Sequence, residues 1–96
     1  MNLYRVTCNA VGKSWITPEP SHVGTDDVLT KLRKQPKLCP ELYDDLVEHG
    51  ENDIEVELLS SNDSGLKIAK LERLNIKMLG DISYTSKPIL AKMYRL

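Results

Sequence analysis

The alternation of apolar and polar positions lays out six elements and a tail. Residues 2–8 alternate, with Tyr4, Val6 and Cys8 on one face and Leu3 and Arg5 on the other, which predicts a strand. Residues 10–13, Ala-Val-Gly-Lys, read as a turn in which Gly12 is free to take a positive φ. Residues 14–17, Ser-Trp-Ile-Thr, return as a second strand, and Pro18 and Pro20 are expected to end it because neither has an amide to give a ladder. The cleanest alternation lies at 53–59. There Ile54, Val56 and Leu58 point inward and Glu55 and Glu57 outward, so a third strand is expected with one packed and one wet face.

Three helices are expected between and after these strands. In the first, Thr25 is the N-cap, Asp26 and Asp27 meet the positive end of the dipole, and Val28, Leu29 and Leu32 supply the apolar side. It stops near Gln35, because Pro36 disfavours helical geometry before it. A second helix starts at Pro40, carries Leu42, Leu46 and Val47 as its stripe, and ends at Gly50 in a left-handed cap. Residues 60–65 are a turn rich in N-cap types, leading to a third helix at 66–80. At about 100° per residue, Ile68, Leu71, Leu74, Met78 and Leu79 share one arc of that helix, and Lys70, Arg73 and Lys77 lie opposite.

Glu72 stands out on this helix. It falls on the edge of the apolar arc, and its neighbours three and four positions away are Ile68, Ala69, Asn75 and Ile76, so no cation on its own helix can pair with it. Either it sits at the rim of the core and bends its head into water or toward a distant Lys, or, held against apolar surface, it needs a partner from elsewhere in the fold, a metal ion or a raised pKa. If it is unpartnered, exchange for glutamine should stabilise the fold slightly. Beyond the helix, residues 81–86 read as a loop, and 87–96 as a short closing helix or extended tail. The expected order is β-β-α-α-β-α: an α+β fold, a small α/β-type domain occupying 1–96, with a three-stranded, mostly antiparallel sheet flanked by helices.

Composition changes this picture in a few places. The net charge of −1 argues against a domain that holds a duplex by charge alone. Lys31, Arg33, Lys34 and Lys37 nonetheless cluster at the end of the first helix. They either complement its dipole on a solvated face or form the phosphate-facing patch by which any nucleic acid would bind. Cys8 and Cys39 lack CxxC or His-rich spacing, so reduced, structural thiols are expected in place of a zinc site. His22 is expected to be a solvated loop residue. No stretch is long enough to span a membrane, and the strand pattern follows Met1 at once, which leaves no signal peptide. A cytoplasmic, reducing location is expected, with no membrane association and no small-molecule cofactor.

With the order of elements in hand, the chain resembles the GIY-YIG nuclease domain over nearly its whole length. Asn2-Leu3-Tyr4 stands where that family has Gly-Ile-Tyr, and Trp15-Ile16-Thr17 where it has Tyr-Ile-Gly. Glu48-His49-Gly50 before the third strand is similar to the family's Lys-His-Gly-like run. Leu71-Glu72-Arg73-Leu74-Asn75-Ile76-Lys77 is similar to its metal-binding helix, Leu-Glu-x-x-x-Ile-Lys.

The resemblance implies a set of roles. Glu72 would hold Mg²⁺ or Mn²⁺ at the scissile phosphate, Tyr4 would accompany the attacking water, and Trp15 takes the place of the second Tyr without its phenolic oxygen. Lys31 aligns with the family's helix Arg, with Arg33 beside it, although a lysine cannot copy a guanidinium fork. Thr85 stands at the family's late Asn. With Asn2 and Thr17 in place of both signature glycines, the resemblance implies a fold retained with its reaction impaired. On that reading the protein is a small binding or regulatory factor for a protein or DNA partner, of the kind that serves phages or mobile elements, and needs no cofactor. The alternative is an active metal-dependent DNA endonuclease.

Overall fold

The computed structural model describes residues 1–84 and 88–96 and places them in an α+β architecture. In chain order the elements are β1 (Asn2–Cys8), β2 (Lys13–Glu19), α1 (Thr25–Lys34), α2 (Pro40–His49), β3 (Ile54–Ser61), α3 (Gly65–Leu79) and α4 (Leu90–Met93). The three strands form one antiparallel sheet in the order β2-β1-β3. Gly12 closes the β1–β2 turn at φ 71°, as the turn reading requires.

Pairing fixes which side chains share a face. Tyr4 is opposite Thr17, Val6 opposite Trp15 and Asn2 opposite Glu19, so these six stand on one side of the sheet. Leu3 and Ile16, one position out of step, stand on the other. The first side packs against α1 and α2, whose Val28, Leu32, Leu42 and Leu46 close a core around Tyr4, Val6, Cys8, Trp15 and Tyr84. The second packs against α3 and α4, where Ile68, Ala69 and Leu90 cover Leu3 and Ile16.

Four expectations are corrected here. First, β2 does not stop at Thr17. It runs on to Glu19 with Pro18 opposite Leu3, which is tolerated because β2 is an edge strand whose outer side has no ladder to feed. Second, β3 begins at Ile54 and ends at Ser61, and its alternation breaks at a bulge: Tyr4 pairs with Leu58 but Leu3 with Ser60. Leu59, on the other face, packs partly buried against the α3-side core, while Leu58 ends up about half exposed. Third, Val47 lies on the outer side of α2, and only Leu42 and Leu46 of its predicted stripe are buried. Fourth, Gly24, not Thr25, is the N-cap of α1, with its amide donating to Asp27 Oδ2 at 3.0 Å.

Cys8 and Cys39 are both buried free thiols, in keeping with a structural role. Burial pushes the Cys39 thiol up from 9.0 to about 11, and the carboxylates of Glu41 and Asp45 add to the rise against a backbone hydrogen bond from Leu42. The folded state therefore favours the neutral thiol. Its contribution to stability is complete below the unfolded value near pH 9.0 and is lost as pH climbs through about 11. Tyr84 is displaced in the same direction, chiefly by burial and then by its contact with Asp45. A falling urea midpoint between pH 9 and 11, at constant slope, is the expected result, and a flat profile across that range would contradict it.

Candidate functional site

The predicted site residues separate along the two faces of the sheet. Tyr4 and Trp15 lie in the core between the sheet and α1–α2, each 2% exposed. The Tyr4 hydroxyl donates to the carbonyl of Val23 at 2.7 Å and accepts from Asn2 Nδ2 at 3.4 Å. The loop before α1 thus holds that phenol. Glu72 belongs to α3, on the opposite side, so strand parity alone keeps Tyr4 and Trp15 away from it.

Glu72 is not at the rim of its helix's buried face but at the centre. With Ile68 and Ala69 it is one of the three buried residues of α3, and it is 0% exposed. Leu74 and Met78, expected inside, are 51% and 73% exposed. The buried arc is rotated because α4 supplies what the carboxylate needs. The amide of Ile89 donates to Oε2 at 2.9 Å and that of Ala91 to Oε1 at 2.7 Å. These amides open the short α4 turn and have no partner within it, so Glu72 caps that turn while the turn satisfies Glu72. Of the partners the sequence left open, the structure selects one from elsewhere in the fold. The condition for a small gain from glutamine at this position is not met, because the carboxylate is doubly hydrogen-bonded.

The basic residues of α1 are partly committed. Lys31 Nζ lies 2.6 Å from Glu19 Oε2, and Glu19 Oε1 accepts from Thr17 Oγ1 at 2.9 Å. Glu19 is 2% exposed and therefore depends on both partners. Arg33 Nη2 reaches Glu51 Oε2 at 3.5 Å on the surface, and Lys34 and Lys37 are exposed. Thr85 lies outside the described residues. His22 is exposed, as expected for a solvated loop residue.

Glu19, between the two prolines expected to end β2, is a site residue that the sequence reading does not single out. Its signal was available: the pairing that puts Tyr4 opposite Thr17 also puts Asn2 opposite Glu19, and so turns a carboxylate inward beside α1.

A cleft of ≈ 560 Å³ runs along the β2 edge, with Thr17, Glu19 and Lys31 on one side and Ile89, Leu90 and Tyr94 on the other. Neither Tyr4, Trp15 nor Glu72 lines it. Thr17, Glu19 and Lys31 are bonded to one another, so an ion pair crosses the slot.

Among the described residues, the only group of three metal-type donors within 4.8 Å of one another is Asp45, Glu48 and His49 on α2. Asp45 Oδ2 already accepts from the Tyr84 hydroxyl at 2.7 Å. Glu72 belongs to no such group, and its carboxylate is fully buried with one backbone amide on each oxygen. Glu72 and its surroundings therefore do not fit the Mg²⁺ or Mn²⁺ that the resemblance implies. No helix among the described residues is long and apolar enough to cross a membrane. No family model, curated protein or solved structure matches the chain.

Proposed function

We propose that this chain is a binding or regulatory factor on a GIY-YIG-like scaffold whose phosphodiester chemistry is not assembled. The observation that carries this reading is the division of the set by the sheet: Tyr4 and Trp15 in one core, Glu72 in the other with both oxygens engaged by backbone amides. A hydrolytic site needs its water-orienting group and its metal within reach of one phosphorus. The partner is a protein or a nucleic acid, and the buried free thiols suit a reducing compartment.

Plasmid nicking in Mg²⁺ and in Mn²⁺ tests the reading. The expected outcome is no relaxation of supercoiled DNA beyond that of a protein-free control. Robust nicking by the wild type that disappears in Glu72→Gln would overturn it in favour of an active metal-dependent endonuclease.

A further inference from the structure

The charges of this chain are strongly segregated. Residues 65–96 carry seven Lys and Arg against two acids, and residues 1–64 carry six against twelve, giving +5 and −6 within an overall −1. The outward face of α3 concentrates the positive share. Lys67, Lys70, Arg73 and Lys77 are all exposed there, and among the described residues none is ion-paired. They cover about 15 Å of helix at 1.5 Å per residue. The one acid of the helix, Glu72, is buried on the far side.

The same face is also apolar. Leu74 and Met78 stand among the cations at 51% and 73% exposure. A groove of ≈ 390 Å³ is lined by Lys70, Arg73, Leu74, Lys77 and, from the chain's last residue, Leu96. By contrast, the basic end of α1 has two of its four members tied to Glu19 and Glu51.

We infer that the outer face of α3 is a docking surface for an acidic protein segment that carries apolar side chains among its carboxylates. The inference rests on the binding reading above and names the partner's chemistry. Charge complementarity selects an anion, because four cations that are unpaired among the described residues, with no acidic side chain on that face of the helix, attract one at long range. The interleaved leucine and methionine select its type. A phosphodiester backbone would meet the cations but leave Leu74, Met78 and Leu96 against charged oxygens, whereas an acidic amphipathic segment covers both. An anionic membrane suits the face less well. In angular order it reads Arg73, Leu66, Lys77, Lys70, Leu74, Lys67, Met78, so the apolar residues form no unbroken strip that could enter lipid without dragging cations along. A second copy offers the acidic outer side of α2, but a contact between two different faces does not close on itself, and Glu41 there is already paired with Lys13.

The test uses the full chain and two synthetic helical peptides. One carries Glu and Leu at positions that share a face, and the other has Lys in place of every Glu. Fluorescence anisotropy should give binding of the acidic peptide in the micromolar range and none of the basic one, with affinity falling as salt rises. The exposed double variant Lys70→Glu/Arg73→Glu should lose at least about tenfold, and Leu74→Ala should lose severalfold even in high salt, where screening leaves only the apolar part. Circular dichroism confirms that both variants fold.

Absence of binding up to about 1 mM, equal binding of both peptides, or unchanged affinity in the α3 variants overturns the inference. So does tighter binding of a DNA duplex or an anionic vesicle that the same variants abolish, or salt-sensitive self-association of the free chain that they abolish. Nicking activity would overturn the non-catalytic reading without touching the peptide result, so the two fail separately.

Discussion

Glu72→Gln is expected to lower the thermal midpoint by about 10–20 °C, the consequence of losing about 2–3 kcal/mol in a domain of this size. A glutamine has one acceptor oxygen where the carboxylate has two. If it keeps the bond from the Ala91 amide, its NH₂ group faces the Ile89 amide, donor against donor, at a fully buried side-chain position. The α4 turn then either loosens from α3 or keeps the Ile89 amide unpaired. Loosening also uncovers Leu90, which packs on Leu3 and Ile16, so the cost spreads into the core on that side of the sheet. Differential scanning calorimetry of the two proteins at neutral pH is the check. An unchanged or raised midpoint would mean that the carboxylate does not act as a cap.

Trp15→Ala is the other large expected effect, about 3–5 kcal/mol from lost burial and the cavity left behind. Trp15 lies across from Val6 in the pairing and heads the fully buried side chains by volume, so little can collapse into its place. A urea midpoint far below that of the wild type, or failure to fold, is the expected reading. Trp15→Tyr, which restores the phenol found in the family the chain resembles, should leave nicking absent. The new hydroxyl would sit in the α1–α2 core, on the wrong side of the sheet from Glu72. A drop below about 1 kcal/mol for Trp15→Ala would place the indole at a surface and contradict the core role.

Much of the architecture was legible because local rules and tertiary packing agreed. The alternation of Tyr4, Val6 and Cys8, the glycine at 12, the proline at 36 and the glycine at 50 each act within a few residues, and each mark stands in the structure. What escaped depends on partners far along the chain. Pro18 stays in a strand only because β2 is at the edge, a fact of sheet order. Leu58 loses its expected burial next to a bulge that is defined against β1.

The α3 helix shows the limit best. Periodicity placed its apolar arc through Leu74 and Met78 and left Glu72 at the border. The fold instead buries Glu72, because two amides 17 and 19 residues further on come to meet it. A carboxylate without a cation on its own helix could have turned its head into water at the rim, and in the fold it meets two backbone amides. Nothing within its helix could say that the partner was backbone rather than metal. Assigning it a metal joined Glu72 to Tyr4 in one site, whereas strand parity, already implicit in the Tyr4–Thr17 and Val6–Trp15 pairing, holds them apart.

The role of Glu72 can be observed directly by following the backbone amides of Ile89 and Ala91 in a two-dimensional ¹H–¹⁵N spectrum while Mn²⁺ is added. If their hydrogens point at the carboxylate as placed here, both resonances resist exchange with solvent and stay sharp through the titration, because no ion reaches Oε1 or Oε2. Selective, saturable broadening of those two amides by Mn²⁺ would put a metal at Glu72 and contradict the assignment of this carboxylate as a structural cap.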